Sequence, residues 1–273
     1  MCHVCVMQSV KQKMLDRRGF LKASVALSTA TAAATVVNST PALADGHKHV
    51  ADMTHTLSEE FPTYFGEPGI SIKQQFNFAE NGFNLNDLML NEHTGTHMDA
   101  PLHFTADGHS VAEIPVENLI VPLAVIDIKE KASENPDAQL TPEDLKAWIS
   151  KHGPLPDNCC VAMNSGWDKH VKTDKFRNAD ADSKMHFPGF HVDAVTMLME
   201  EADVAGIAVD TLSLDHGPSA DFATHYAWLP SNRWGIECLA NLDAVPATGA
   251  TLVVGAPKVS GGTGGPSRIF TLI

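Results

Sequence analysis

Three imidazoles and one carboxylate lie within eleven residues of this chain, from His93 to His103. The stretch reads HTGTHMDAPLHF over residues 93–104. Imidazole and carboxylate groups together bind borderline divalent metals such as zinc, or manganese when oxygen ligands are added. A single pair of histidines would carry little weight, but four candidate ligands in one short segment predict a metal site.

The same segment is unsuited to a helix and requires a curled backbone. Four residues within it disfavour helical structure: Thr94, Gly95, Thr96 and Pro101. In an extended chain alternate residues share one side, which would place all four candidate ligands together. A straight strand would nevertheless separate His93 from His103 by roughly 33 Å, too far for one site. We therefore expect the backbone to turn at Gly95 and Pro101.

Beyond this segment, short apolar runs alternate with helical patterns. Thr141-Pro142-Glu143-Asp144 predicts a helix start, because it combines a Thr cap, a Pro at the first helical position and acids in the first turn. Gly153-Pro154 ends that helix. The other predicted elements are a helix over 190–202 and strands over 85–92, 121–128, 160–163, 204–209 and 252–255. Such alternation predicts an α/β domain, with the strand over 85–92 leading into the metal segment.

The first 44 residues are predicted to be an export signal. Asp16-Arg17-Arg18-Gly19-Phe20-Leu21-Lys22 has the form of a twin-arginine signal, and an Ala/Thr/Val-rich stretch follows it. Ala42-Leu43-Ala44 offers a small-residue cleavage site. A membrane anchor fits less well, because the apolar run is short and rich in Ala, Ser and Thr. We therefore expect a periplasmic domain over 45–273 that is free of the membrane after cleavage.

The charge balance limits the class of partner. The 273-residue chain carries 19 basic and 33 acidic residues, a formal net charge of −14. Such a surface repels nucleic acid and anionic lipid. A small-molecule partner is therefore expected.

The segment HTGTHMDAPLHF resembles the signature of the cyclase family of metal-dependent hydrolases, which includes kynurenine formamidase and isatin hydrolase. The resemblance runs from about Asp52 to the C-terminus. It implies that His93, His97 and Asp99 bind the metal and that His103 transfers a proton.

The resemblance also implies two further ligands, His225 and Glu237, which would attract no notice by themselves. Glu237 stands before Asn241-Leu242 and a Val245-Pro246-Ala247-Thr248-Gly249 turn, as in the family, and a Gly-rich segment ending in Pro-x-Arg follows. Cys238 departs from the usual aliphatic pattern, and we expect it to pack as a small apolar residue. The segment Asp210–Asp215, at the end of a predicted strand, is expected to shape the site, with Ser213 as a candidate substrate-binding residue.

Fold, pocket and assembly also follow from the resemblance. The family fold is a swivelling β/β/α domain that forms dimers or larger oligomers, so a homodimer or homotetramer is expected. Phe61, Tyr64 and Phe65 lie in a Pro/Gly-rich loop near the start of the domain and are candidates for the substrate pocket. Ordinary apolar packing would explain these three aromatic residues equally well.

The resulting hypothesis is metal-assisted hydrolysis of an aryl formamide or of a cyclic amide such as isatin, with zinc or manganese as the metal. A lactone hydrolase or cyclase of the same family is one alternative. A periplasmic metal-binding or solute-binding protein without turnover is another, and it would not need His103 as a proton carrier. A structural metal fits less well, because such sites are usually rich in Cys.

Overall fold

The computed structural model describes residues 49–273, and the predicted export signal over residues 1–44 lies outside them. The described chain forms two compact units, a larger one built from residues 49–71 and 90–273 and a smaller one, Ile72–Met89. No helix in the described part combines the length and the apolar character needed to cross a membrane.

Strands outnumber helices in the described chain. The strands are β1 Val50–Asp52, β2 Ile70–Phe76, β3 Leu85–Leu90, β4 His97–Asp99, β5 Ile120–Asp127, β6 Gln139–Leu140, β7 Cys159–Asn164, β8 Gly189–Phe190, β9 Val204–Val209, β10 Trp234–Glu237, β11 Ala250–Gly255, β12 Gly264–Pro266 and β13 Arg268–Leu272. The α-helices are α1 Phe78–Asn81, α2 Lys129–Glu134, α3 Pro142–His152, α4 Val192–Glu201 and α5 Ala223–Trp228.

Nine strands form one mixed sheet in the order β1-β13-β11-β5-β7-β9-β10-β4-β12. Its centre, from β5 through β7 and β9 to β10, is parallel, whereas β4 pairs antiparallel with both β10 and β12. Successive residues of the central strands pack into two apolar clusters, one on each face of the sheet. Ala162 belongs to the first cluster, and Val161 and Met163 belong to the second. Side chains of α3, α4 and α5 pack in the second of these clusters. Both faces of the central strands are therefore buried, as parallel strands require.

The predicted α/β class is confirmed, and the local signals account for the helix bounds. Thr141 and Asp144 form a capping box at the start of α3, and Gly153 follows its last residue with a φ of +91°. A second helix was expected over 190–202, but α4 begins at Val192 because Gly189–Phe190 is a short strand paired with β6. The predicted strand over 204–209 coincides with β9.

The strand predicted over 85–92 is present as β3, which ends at Leu90, shortly before the metal segment. β3 pairs with β2 in a separate two-stranded sheet and is not a member of the nine-stranded one. Period-two alternation cannot distinguish these outcomes, because it indicates a strand without naming its neighbour. Six large apolar side chains of β2, α1 and β3 are exposed: Ile72, Phe78, Leu85, Leu88, Met89 and Leu90.

Candidate metal centre

The backbone of the metal segment turns at the two predicted positions. Gly95 has a φ of +67°, in the left-handed region that favours glycine. After the short strand β4, Pro101 begins a 3-10 helix, Pro101–His103. These two turns replace the straight strand and bring His93 and His103 together, with their rings stacked and their centroids 3.7 Å apart.

Two neighbouring strands present three of the predicted ligands. His97 and Asp99 are two residues apart on β4, so both side chains lie on the same face, while Met98 is buried on the opposite face. Glu237, the last residue of β10, is the register partner of His97. All three predicted ligands are buried, which fixes their positions more firmly than a surface loop would.

Asp215 fixes the position of the fourth buried predicted ligand, His225, in the first turn of α5. One Asp215 oxygen accepts a hydrogen bond from the backbone N–H of Thr224 at 2.8 Å. The other Asp215 oxygen accepts two hydrogen bonds from His225, one from the backbone N–H at 3.2 Å and one from ring Nδ1 at 2.6 Å. Asp215 therefore anchors both the start of the helix and the imidazole ring, and Nε2 of His225 remains directed at Asp99 and Glu237.

The two carboxylates of the cluster face both buried imidazoles. Nε2 of His97 lies 3.3 Å from Asp99 Oδ1 and 3.4 Å from Glu237 Oε2. Nε2 of His225 lies 3.5 Å from Asp99 Oδ2 and 3.2 Å from Glu237 Oε1. Each carboxylate thus offers one oxygen to each histidine.

This donor set fits a divalent metal. Among the described residues, His97 Nε2 and Asp99 Oδ2 are buried polar atoms without a hydrogen-bond partner. Leaving such atoms unpaired is costly, and a cation among them would satisfy both. Ligand atoms of His97, Asp99 and Glu237 lie within 4.8 Å of one another, as do those of His93, Asp99 and His103. Imidazole nitrogen and carboxylate oxygen are ligands that zinc and manganese accept.

The electrostatics of the cluster also favour a cation. Burial opposes a charge on His97, but Asp99 and Glu237 outweigh that effect and raise its pKa to about 9. Burial likewise opposes a charge on His225, yet Asp215 and Asp99 raise its pKa well above the ordinary value. Burial and the adjacent Asp99 raise the pKa of Glu237. The buried carboxylates therefore attract positive charge, as the raised pKa values of the two imidazoles indicate, and a bound cation would meet the same need.

His103 differs from the buried histidines. Burial lowers its pKa to about 4, Asp99 acts in the opposite direction, and the neighbouring imidazoles lower it further. His103 is therefore neutral at pH 7 and free to accept a proton, but a pKa of about 4 makes it a weaker base than an ordinary imidazole.

The predicted residues surround one cavity of about 340 Å³. Its wall includes His93, His97, His103, His225 and Glu237 together with all four predicted substrate-binding residues, Phe61, Tyr64, Phe65 and Ser213. Asp99 lies beneath this wall and is fully buried. The structure therefore brings every predicted site residue to one place, while their individual roles stay predictions. Cys238 packs in an apolar cluster, as expected.

Several residues of the site were not singled out from the sequence. Phe104 and Phe222 line the cavity, and their rings contact that of His225 at centroid distances of 4.6 and 5.8 Å. The specific bond from Asp215 to His225 was also missed, although the segment Asp210–Asp215 was expected to support the site. An aromatic residue beside a ligand motif is a weak signal for Phe104, and no local signal identifies Phe222.

Comparison with known proteins places this chain in a known family. Residues 51–216 match the model of the Cyclase family. The isatin hydrolase of Roseibium aggregatum is 32% identical over 250 residues, which cover 85% of this chain and 94% of the relative. The kynurenine formamidase of Salinibacter ruber is 28% identical over 192 residues, or 70% of this chain and 81% of the relative.

A solved structure agrees with these relatives. Isatin hydrolase A from Labrenzia aggregata bound to benzyl benzoate superposes with a TM-score of 0.78 at 34% identity, covering 82% of this chain and 93% of that one. The chain therefore belongs to the Cyclase family. It is a hydrolase with the mixed α/β fold of its relatives.

Proposed function

We propose that this chain hydrolyses the cyclic amide of isatin, or of a closely similar aryl amide, with a divalent metal held by the buried cluster. One observation carries this choice: the cavity is small, and among the described residues its only ionisable groups besides Tyr64 and Cys238 belong to the cluster and His103. Those groups are His93, His97, His103, His225 and Glu237. The remaining wall is aromatic, aliphatic or neutral polar.

Size and charge favour isatin over N-formylkynurenine. Binding sites for small molecules commonly occupy about 300–1,000 Å³, so about 340 Å³ suits a compact ring. N-formylkynurenine carries an α-amino and an α-carboxylate group, and each would need a charged or strongly polar partner when buried. No Lys, Arg or Asp of the described chain lines the cavity, whereas Phe61, Phe104 and Phe222 offer faces for a flat, uncharged ring.

The reaction proposed is addition of water across an amide bond. The water oxygen bonds to the amide carbonyl carbon, the carbon–nitrogen bond breaks, one water proton passes to the nitrogen and the other is released to solvent, so that a carboxylate and an arylamine result. When bound, the metal supplies Lewis acidity that polarises the carbonyl and makes water more acidic. His103, neutral at pH 7, accepts the proton of the attacking water and returns it to the leaving nitrogen.

A substrate comparison tests this proposal. The full chain, loaded with Zn²⁺ or Mn²⁺, is offered isatin, N-formylkynurenine and a simple aryl lactone. We expect kcat/KM to be largest for isatin and turnover to stop on chelation. Faster turnover of N-formylkynurenine or of the lactone would overturn the substrate assignment. Bound metal with no turnover of any of them would favour a binding protein.

The metal is proposed to be zinc or manganese, in one or two equivalents. Imidazole and carboxylate donors suit both ions. The two carboxylates, each with an oxygen toward His97 and another toward His225, provide enough ligand atoms for a second ion. Elemental analysis after equilibration with each ion gives the identity and the number.

The protein is further proposed to reach the periplasm by the twin-arginine route. The support is the sequence around Arg17 and Arg18 and the small-residue site at residues 42–44. Changing both arginines to lysine should retain the precursor in the cytoplasm, as measured by cell fractionation. Unchanged export of that variant would contradict the proposed route.

A homodimer or homotetramer is proposed from the exposed apolar residues of β3. Leu88 is 57% and Met89 77% exposed, and apolar groups clustered in this way mark association surfaces. Light scattering should give a mass of two or four chains, and the double variant L88K/M89K should reduce it. N86K, at an exposed polar position of the same strand, is the control. A monomeric wild-type protein would refute the assembly.

A further inference from the structure

Both ring nitrogens of His93 are engaged. Nδ1 lies 2.7 Å from Asp99 Oδ1, inside the ligand cluster. Nε2 lies 2.9 Å from the hydroxyl of Thr263, which is 170 residues away in the Gly-rich segment. That hydroxyl in turn lies 2.5 Å from Glu92 Oε2, and the backbone N–H of Thr263 donates to the same carboxylate. Glu92, Thr263 and His93 therefore form a continuous chain of hydrogen bonds that ends at the ligand cluster.

The donors and acceptors of this chain run in one direction. A threonine hydroxyl has a single proton, and a carboxylate only accepts hydrogen bonds. The Thr263 hydroxyl must therefore donate to Glu92, so its lone pair accepts the Nε2–H of His93. Because a neutral imidazole carries one N–H, Nδ1 of His93 is left with a lone pair directed at Asp99. A lone pair and a carboxylate oxygen 2.7 Å apart repel unless a cation or a proton lies at that position.

The other histidines of the cluster use the opposite nitrogen. Nδ1 of His97 donates to the carbonyl of Gly95 at 2.9 Å, and Nδ1 of His225 lies 2.6 Å from Asp215. Each therefore presents Nε2 to the carboxylates. Metal-binding histidines commonly donate their second ring N–H to a carboxylate or carbonyl, which fixes the tautomer and the ring orientation. For His93 that partner is the Thr263 hydroxyl, backed by Glu92.

We propose that Glu92 and Thr263 are positioning residues that hold His93 as the Nε2–H tautomer, so that it binds the metal through Nδ1 while His97 and His225 bind through Nε2. This inference rests on the proposed metal-dependent function. The Gly-rich segment can approach His93 closely because it has no side chain at Gly264, where a Cβ would lie 2.9 Å from His93 Cε1. The chain of hydrogen bonds from Glu92 through Thr263 to His93, called the relay below, also fixes the ring against which His103 stacks.

The test compares variants of Thr263 in the full chain. T263V removes the hydroxyl at nearly constant shape, whereas T263S keeps it, so the pair separates hydrogen bonding from packing. Zn²⁺ and Mn²⁺ dissociation constants are measured by competition with a chromophoric chelator, and the melting temperature of each metal-free variant is recorded. We expect T263V to bind metal about 10–100-fold more weakly, T263S to stay close to wild type, and E92Q to fall between them.

A second measurement reports the tautomer directly. With ¹⁵N-labelled histidine and Zn²⁺ bound, long-range ¹⁵N–¹H spectra should show His93 ligated through Nδ1 with a proton on Nε2; the signals are assigned with H93Q. Wild-type metal affinity in T263V, an equal loss in T263S, or ligation of His93 through Nε2 would each overturn the relay. Absence of metal binding by the wild type would refute both the relay and the proposed function. Metal binding without hydrolysis would refute the function alone.

Discussion

Replacing Asp215 by asparagine should weaken metal binding through His225 while leaving the chain folded. Four donors surround this buried carboxylate: the Thr224 N–H, the His225 N–H, the His225 ring and the Ser219 hydroxyl. An asparagine has one oxygen where the aspartate has two, and its NH₂ group donates. Whichever way it turns, the amide cannot accept from both the Thr224 N–H and the His225 ring.

The magnitude follows from the bond that is lost. At 2.6 Å, the contact of Asp215 with His225 Nδ1 is a short, charge-assisted hydrogen bond. Loss of such an outer partner typically weakens metal binding about 10–100-fold, which corresponds to about 1.4–2.7 kcal/mol. S219A is the matched control, because it removes only the long contacts of the Ser219 hydroxyl, 3.2 Å to the same carboxylate and 3.3 Å to Asp221, and preserves the charge of Asp215.

Competition titration of the metal, together with calorimetry of the metal-free proteins, separates affinity from folding. D215N should show the reduced affinity, and S219A should remain within about twofold of wild type, because the Ser219 bond to Asp215 is long at 3.2 Å and does not involve the His225 ring. A folded D215N variant with unchanged affinity would show that Asp215 does not position His225 for the metal. If S219A lost as much metal affinity as D215N, the loss could not be attributed to the charge of Asp215.

Three further outcomes are expected. H103A should retain its metal and lose turnover about 100-fold or more, and full activity would remove His103 from proton transfer. F65A, which shortens a 79% exposed side chain at the cavity wall, should raise KM for isatin with little change in kcat; an unchanged KM would exclude contact with substrate. Burial raises the pKa of Asp210 to about 6, against hydrogen bonds from Ser165 and Trp167 that oppose the rise. The pKa of Asp210 is higher in the folded chain than in the unfolded chain. Its contribution to the free energy of unfolding is therefore complete below about pH 4, and about 3 kcal/mol of that contribution is lost as the pH rises through 6. The free energy of unfolding of D210N, measured in urea from pH 4 to 7, should not show that loss. The same pH dependence in D210N and wild type would refute the role assigned to Asp210.

The parts of the site that the sequence predicts are those in which neighbouring residues constrain each other. Gly95 and Pro101 sit where the ligand segment must turn, and the structure turns there because glycine permits a positive φ and proline favours the first turn of a helix. The capping residues of α3 identify its start for a similar local reason.

Contacts between residues far apart in the sequence cannot be predicted from local patterns in this way. The contact between His93 and Thr263 joins residues 170 positions apart, and no spacing rule connects them. The same limit explains β3, whose apolar pattern indicates a strand but not which sheet it joins. His225 and Glu237 were reached only through the family resemblance, because an isolated histidine or glutamate carries no signal of its own.

The most direct test of the central claim is the metal content of the purified wild-type chain, measured together with hydrolysis of isatin before and after chelation. We predict at least one equivalent of zinc or manganese, loss of turnover when the metal is removed, and recovery when it is restored. D99N, which alters the carboxylate facing His93, His97 and His225, should lose both metal and activity. Isatin hydrolysis that persists in metal-free protein, or a wild-type chain that binds neither ion, would contradict the account.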